Sequence, residues 1–385
     1  MKVPLARPDI SEDDIQAVVR VLRSGRLSQG SIAREFEEAL AAHVGVAHGV
    51  VVNSGTSALD LALRALRIGD GDEVILPSFS FMAVTNAVLA VRAVPVFVDI
   101  DPRNLNMDPA AVGEAVSEKT KAIILVHSFG LPAAAEEIVA FGKSHSLAVI
   151  EDACEALGTA RNGHKAGSLG NIGVLAFYPN KVITTGEGGA LITNSSELAV
   201  RVRSLSNQGR RSGAGWFEHL EPGFSCRLSD LGCALGLQQL SRIAPILRRR
   251  EELAASYYRR LQLNTHLSCF AAASGNERAS WFTYPILLNE TFTRQDRDEI
   301  WIELKRRGIE TGRYFAPSHL QPALRGVPHR CGDLSRTISL SERLLCLPLF
   351  GSLSEAQIDS VCEALDEILN GRTCWRGAAQ AAVNW

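Results

Sequence analysis

Ala148-Val149-Ile150-Glu151-Asp152-Ala153-Cys154-Glu155 is a short β-branched run that ends abruptly in acid, and Lys181, in Pro179-Asn180-Lys181, stands twenty-nine residues beyond Asp152. A run apolar on both faces belongs in a sheet covered on both sides. Comparable runs flank it: Val50-Val51-Val52, Glu73 to Leu76, Val94 to Val98, Ala122 to Val126, Val174 to Phe177 and Ala190-Leu191-Ile192. Helix-length segments separate most of them, which predicts an α/β fold with a mostly parallel central sheet flanked by helices. In such sheets ligands bind beyond the carboxyl ends of the strands, so the residues just after each run are the ones that carry chemistry.

With 385 residues the chain exceeds one hydrophobic core, and the pattern changes near its middle. We expect a large cofactor-binding unit over residues 1–245. A smaller α+β unit over 246–370 and a flexible tail over 371–385 are expected to follow. A helical stretch from Leu231 to about Leu263 is expected to bridge the two units. A strand from Trp281, a helix from Gln295 to Arg307 and a final helix from Ser354 to Leu369 complete the smaller one.

A formal net charge of -2, with no basic run, gives no field to attract nucleic acid. No apolar stretch reaches membrane-spanning length and the N-terminus lacks a signal peptide's apolar core, so a cytoplasmic protein is expected. Eight cysteines lie scattered without a CxxC pair, offering neither a zinc site nor a disulfide framework. No metal is expected.

Lys181 after one strand and Asp152 at the end of another suit a pyridine cofactor. A lysine amine can bond a cofactor aldehyde, and a buried carboxylate keeps a ring nitrogen protonated. Asn53-Ser54-Gly55-Thr56-Ser57 lies between a strand and a helix, where exposed amides and hydroxyls suit a phosphate. Pro77-Ser78-Phe79-Ser80-Phe81 also follows a strand. Each motif alone has a plainer structural explanation; their conjunction is what points to one site.

These segments resemble the DegT/DnrJ/EryC1/StrS sugar aminotransferase family, whose members have the fold-type I architecture of enzymes that use pyridoxal 5′-phosphate. The likeness runs in order over roughly residues 3 to 350. It includes Val98-Asp99-Ile100-Asp101-Pro102, His127-Ser-Phe-Gly130, Glu151-Asp-Ala-Cys-Glu-Ala-Leu-Gly158, Thr185-Gly-Glu-Gly-Gly189, Arg227-Leu-Ser-Asp230 and Arg313-Tyr-Phe-Ala-Pro-Ser-His319.

The resemblance implies that Lys181 carries the cofactor and shuttles the proton, and that Asp152 pairs with the pyridine nitrogen. It implies that Ser54, Gly55 and Thr56 meet the phosphate, Phe81 stacks on the ring and Glu155 lies near the ring hydroxyl. Ser225 replaces an Asn that in relatives reaches the partner subunit's cofactor. Arg227, Tyr314 and His319 would lie near substrate or the neighbouring subunit. Ala176 stands where relatives have Ser, removing one phosphate contact.

The implied reaction moves an amino group from an amino acid, L-glutamate by analogy, to a nucleotide-linked keto sugar. Pyridoxamine 5′-phosphate holds the amino group between the halves, and two subunits share their active sites as a homodimer. A keto-cyclitol acceptor, or an idle regulatory homologue, are the alternatives. Specificity is expected to lie in loops 161–168, 210–222 and 313–332.

Overall fold

In the computed structural model, residues 2–211, 218–271 and 275–382 are described, the last eleven as backbone alone. The middle of loop 210–222 and Trp385 therefore lie outside the described residues. The chain enters through two amphipathic helices, α1 (Glu12–Ser24) and α2 (Ser31–Val44). Strands and helices then alternate: β1 (His48–Val52), α3 (Gly55–Ala65), β2 (Glu73–Pro77), α4 (Met82–Ala90) and β3 (Val94–Val98). The series continues with α5 (Pro109–Ala115), β4 (Thr120–Val126), α6 (Ala135–Ser144), β5 (Ala148–Asp152), β6 (Ile172–Ala176), β7 (Gly189–Thr193), α7 (Ser196–Ser206) and α8 (Asp230–Ser241).

These strands form an eight-stranded sheet in the order β1-β7-β6-β5-β4-β2-β3, closed at its edge by β10 (Arg330–Cys331). All neighbours are parallel except β7, which runs antiparallel to both β1 and β6. The expected mostly parallel sheet is present. Because β7 is reversed, its first residue, Gly189, lies beside the last residue of β6, Ala176. The turn before β7 thus reaches the same edge as the turns after β1, β5 and β6.

Beyond α8 the expected bridging helix is broken. One helix ends at Ser241 and α9 (Ile243–Leu261) starts two residues later, with Arg242 at φ -103°, ψ 11° between them. Pro245 accounts for the break: it lacks an amide hydrogen and is tolerated only in a first helical turn. Next come β8 (Leu267–Cys269), β9 (Tyr284–Leu288), α10 (Arg294–Arg306), α11 (Ser335–Arg343) and β11 (Leu344–Leu347). The small antiparallel sheet has the order β8-β9-β11.

The strand expected from Trp281 begins later, at Tyr284. Trp281 is fully buried with φ 54°, a left-handed backbone that no strand accommodates. The last helix, α12 (Glu355–Ala382), runs past the expected stop near residue 369; the alanines at 378, 379, 381 and 382 favour its continuation. The chain's opening residues add to the smaller unit: the Val3 amide donates to Gly308 and the Glu310 amide to Val3.

Side chains alternate across β5, and that alternation positions the site. Glu151 points to one face, where it is completely buried. The amides of Leu169 and Gly170 donate to its Oε1 at 2.7 and 2.6 Å, and Gly167 donates to Oε2 at 3.0 Å. His127 Nε2 lies 3.1 Å from Oε2, while His127 Nδ1 accepts from the Ala133 amide. The imidazole is thereby the Nε2–H tautomer, a fourth donor to the carboxylate. Asp152, next in sequence, points to the opposite face.

The donors around Glu151 hold its carboxyl below the ordinary value of 4.5 against the opposing effect of burial. Its contribution to stability is therefore complete above 4.5 and is lost as the pH falls through the folded value. Glu151→Gln retains an acceptor for one pair of donors but turns an NH2 group onto the His127 and Gly167 donors. This substitution should cost about 2–4 kcal/mol at pH 7 and flatten the acid limb of the stability profile. Urea unfolding at several pH values measures both.

Candidate active site

A cavity of about 500 Å³ opens at the carboxyl edge of the large sheet. Its floor is built by three chain segments that end strands. After β1, Ser54 caps α3, its Oγ accepting from the Ser57 amide at 3.0 Å, so the first amides of an eleven-residue helix open toward the cavity. Gly55 has to be glycine there. A Cβ would lie 2.7 Å from the Ala176 Cβ and 3.0 Å from Cys154 Sγ.

At the end of β5, Asp152 is 6% exposed and accepts the Cys154 amide at 3.0 Å. One turn on, Glu155 accepts the Phe129 amide at 2.9 Å through Oε2 and faces Lys181 Nζ at 3.5 Å through Oε1. Burial pushes the Glu155 carboxyl up, with Lys181 opposing the shift. Lys181 lies in the turn between β6 and β7, its amide donating to Tyr178. Its ammonium also sits 4.2 Å from the centre of the Phe282 ring.

Phe282 comes from the distant part of the chain and is held by backbone. Its amide donates to Phe129 and the Ser280 amide donates to Gly130. Gly130 has φ 78°, and a Cβ there would lie 2.6 Å from Ser280 Oγ. On the other side, the buried Arg250 donates to the carbonyls of Trp281 and Phe282 at 2.8 and 2.9 Å. Burial lowers that guanidinium to about 10.

Eight of the residues singled out by sequence line this one cavity: Ser54, Gly55, Thr56, Phe81, Asp152, Glu155, Lys181 and Tyr314. Phe81 caps α4 and is 64% exposed at the mouth. Tyr314 is a neutral phenol, burial raising it to about 12. Three others lie elsewhere within the chain. Ser225 pairs through its backbone with Asn207, and Arg227 donates to Asn207 Oδ1 at 2.9 Å. His319 Nδ1 lies 2.6 Å from Ser78 Oγ, and burial lowers this imidazole.

Cys154, Asn180 and Phe282 line the cavity without having been singled out for it. Asn180 was legible as the neighbour of Lys181. Phe282, a hundred residues away, had no local signal.

The donor set fits pyridoxal phosphate. A helix start with a glycine cradle suits its phosphate, a buried carboxylate its ring nitrogen, and a lysine amine its aldehyde.

The sequence profile of the DegT/DnrJ/EryC1/StrS aminotransferase family matches residues 8–366. The chain belongs to this family. It is 36% identical over 381 residues to the spore coat polysaccharide biosynthesis protein SpsC of Bacillus subtilis (strain 168), covering 96% of this chain and 97% of that one. It is 36% identical over 371 residues to the GDP-perosamine synthase of Caulobacter vibrioides, covering 96% and 98%. Spr1654 from Streptococcus pneumoniae in its PLP form superposes with a TM-score of 0.90 at 27% identity, covering 96% and 99%. This aminotransferase takes pyridoxal phosphate as its cofactor.

Ala176 presents only a methyl group beside the Gly55 cradle. Ala176→Ser would return a hydroxyl there and should tighten cofactor affinity roughly 2- to 10-fold, the worth of one neutral hydrogen bond. Fluorescence titration of the apo protein with pyridoxal phosphate measures the change.

Proposed function

We propose that this aminotransferase transfers an amino group from L-glutamate to the keto group of a nucleotide-linked sugar, in amino-sugar biosynthesis for a polysaccharide or antibiotic. The observation that carries the reading is the convergence of Lys181, Asp152 and the Gly55 cradle on one cavity large enough for cofactor and substrate. The family match and the similarity to a GDP-perosamine synthase support the sugar acceptor.

When bound, pyridoxal phosphate supplies an electron sink that makes the α-proton of an amino acid removable. The chain's part is positioning and proton movement. Asp152, buried at the end of β5, would face the cofactor ring nitrogen. The amides at the start of α3 hold the phosphate, and Phe81 covers the mouth. Lys181 Nζ would hold the cofactor through its aldehyde and, once free as an amine, would be the base that takes the donor's α-proton and holds it for return on the far side of the nitrogen. Holding the amine within reach of both carbons replaces a bimolecular proton transfer by a local one.

Ser225 and Arg227 lie outside their own cavity, which suits residues that serve a second copy. We assign them, with Tyr314 and His319, to the substrate side of a homodimer with shared sites. The cytoplasm is the proposed compartment; among the described residues no helix is long and apolar enough to cross a membrane. The large cofactor unit is assigned to about residue 245, with α9 leading into the smaller one.

Adding L-glutamate to the cofactor-loaded protein should abolish the visible absorbance of the lysine-bound cofactor, and a nucleotide-linked keto sugar should restore it. Restoration by a keto-cyclitol alone would transfer the assignment to that acceptor. Lys181→Ala should remove both the absorbance and the turnover. Asp152→Asn should keep the fold and slow α-proton removal by at least about 100-fold, seen as loss of kcat rather than a rise in KM.

A further inference from the structure

The turn that carries Lys181, between β6 and β7, is held mostly by its own atoms. The Lys181 amide donates to the Tyr178 carbonyl, and the Gly186 amide donates to Thr184 Oγ1. The Thr185 amide and the Thr184 hydroxyl both donate to the Phe177 carbonyl at 2.9 Å. Among the described residues, one hydrogen bond reaches the backbone of this turn from another element. The Thr184 amide donates to Gln239 Oε1 of α8 at 2.9 Å.

Gln239 is 2% exposed, and both ends of its amide are committed. Its Nε2 donates to the Asp9 carbonyl at 2.7 Å and lies 3.4 Å from Asp14 Oδ2. That same carboxylate oxygen takes the Ser11 amide and the Arg242 guanidinium. A carbonyl on one side and an amide hydrogen on the other fix which end of Gln239 is oxygen. The start of α1 is thereby tied, through one side chain, to a residue three positions after Lys181. Gly236 lets α8 lie this close: a Cβ there would come within 2.8 Å of Thr185 Cγ2 and 2.5 Å of the Phe36 ring.

We propose that Gln239 is a positioning residue for the amino transfer: by holding the Thr184 amide it sets where the Lys181 amine stands, from behind the turn. The proposal rests on Lys181 being the reacting lysine. That amine has to stay within reach of both the atom that gives up the proton and the atom that receives it. A misplacement of about 1 Å, caused far from the reacting atoms, can slow such a step about 100-fold. The lysine stem has little freedom to compensate, because the centre of the Phe282 ring lies 4.2 Å from Nζ and off-rotamer side chains are strained.

Two substitutions separate holding the turn from holding the fold. Leucine would leave the Thr184 amide and the Asp9 carbonyl without partners. Glutamate would keep an oxygen for the Thr184 amide but set an acid beside the Asp14 carboxylate. For stability glutamate is no better a substitute than leucine; for the turn it is the better one.

The test compares the full-length protein with Gln239→Leu and Gln239→Glu. In the cofactor-loaded protein, saturating L-glutamate should bleach the visible absorbance about 10- to 100-fold more slowly in Gln239→Leu. The half-saturating glutamate concentration should stay within about 2-fold, and α-deuterated glutamate should slow the step further. Gln239→Glu should recover most of the rate. In the apo protein, amide hydrogen exchange read by mass spectrometry should quicken at least about 10-fold in the peptide over residues 178–188 of Gln239→Leu. It should stay near wild type in Gln239→Glu, and the peptide over β5 should change in neither. Gln239→Asn, too short to reach the amide, replaces the leucine variant if that one does not fold.

An unchanged rate in Gln239→Leu would overturn the proposal. So would equal losses in both variants, or faster exchange that spreads to β5, since either leaves Gln239 a structural role alone. Borohydride reduction followed by peptide mass spectrometry identifies the lysine that holds the cofactor. Should it not be Lys181, the functional reading fails, while exchange over residues 178–188 still decides whether Gln239 anchors the turn.

Discussion

The buried carboxylate of Glu151 is the constraint on which the site depends. Four donors from two chain segments converge on it: His127 after β4, and the amides of residues 167, 169 and 170 before β6. A buried anion costs several kcal/mol unless fully paired, so this arrangement tolerates little displacement of any of its donors. It locks the ends of three neighbouring strands in one register. Asp152, the next residue, is thereby aimed into the cavity by the pleat alone. Structural and chemical acids sit side by side because alternation along a strand separates their faces.

Two carboxylates inside the cavity carry the same logic further. Asp152 takes an amide hydrogen bond from Cys154 near the cavity floor, whereas Glu155 is sunk between an amide and Lys181 and has its proton affinity raised by burial. Two carboxylates three residues apart in sequence therefore have different partners. One lies on the cavity floor beside the start of α3, the other faces Lys181 at 3.5 Å.

Much of this was legible in the sequence because the relevant signals are local. The large sheet follows from runs apolar on both faces, and the floor of the cavity from the residues that end those runs: Gly55, Asp152, Lys181. What was not legible depends on contacts between distant segments or on single residues inside a strong pattern. Pro245 splits a stretch whose apolar period reads as one helix. Trp281 looks like the start of a strand, but packing holds it at φ 54°, and β9 begins three residues later. Phe282 reaches Lys181 only because Gly130 lets two backbones meet and Arg250 fills the space behind them.

Those distant contacts make the smaller unit part of the active site. The wall beside Lys181 is an aromatic series in which Phe282, Tyr314 and Phe315 follow one another at ring separations of 6.2 and 5.4 Å, and Phe315 stacks on Phe129 at 5.3 Å. Three of these rings belong to the later half of the chain and one to the loop after β4. Any rotation of the smaller unit on the larger must slide this stack, and with it the ring against the lysine. The wall offers a charge no water-like partner on that side, and low polarity beside a charge strengthens its interactions. Sequence distance between Lys181 and Phe282 is thus the means by which the packing of one unit bears on the chemistry of the other.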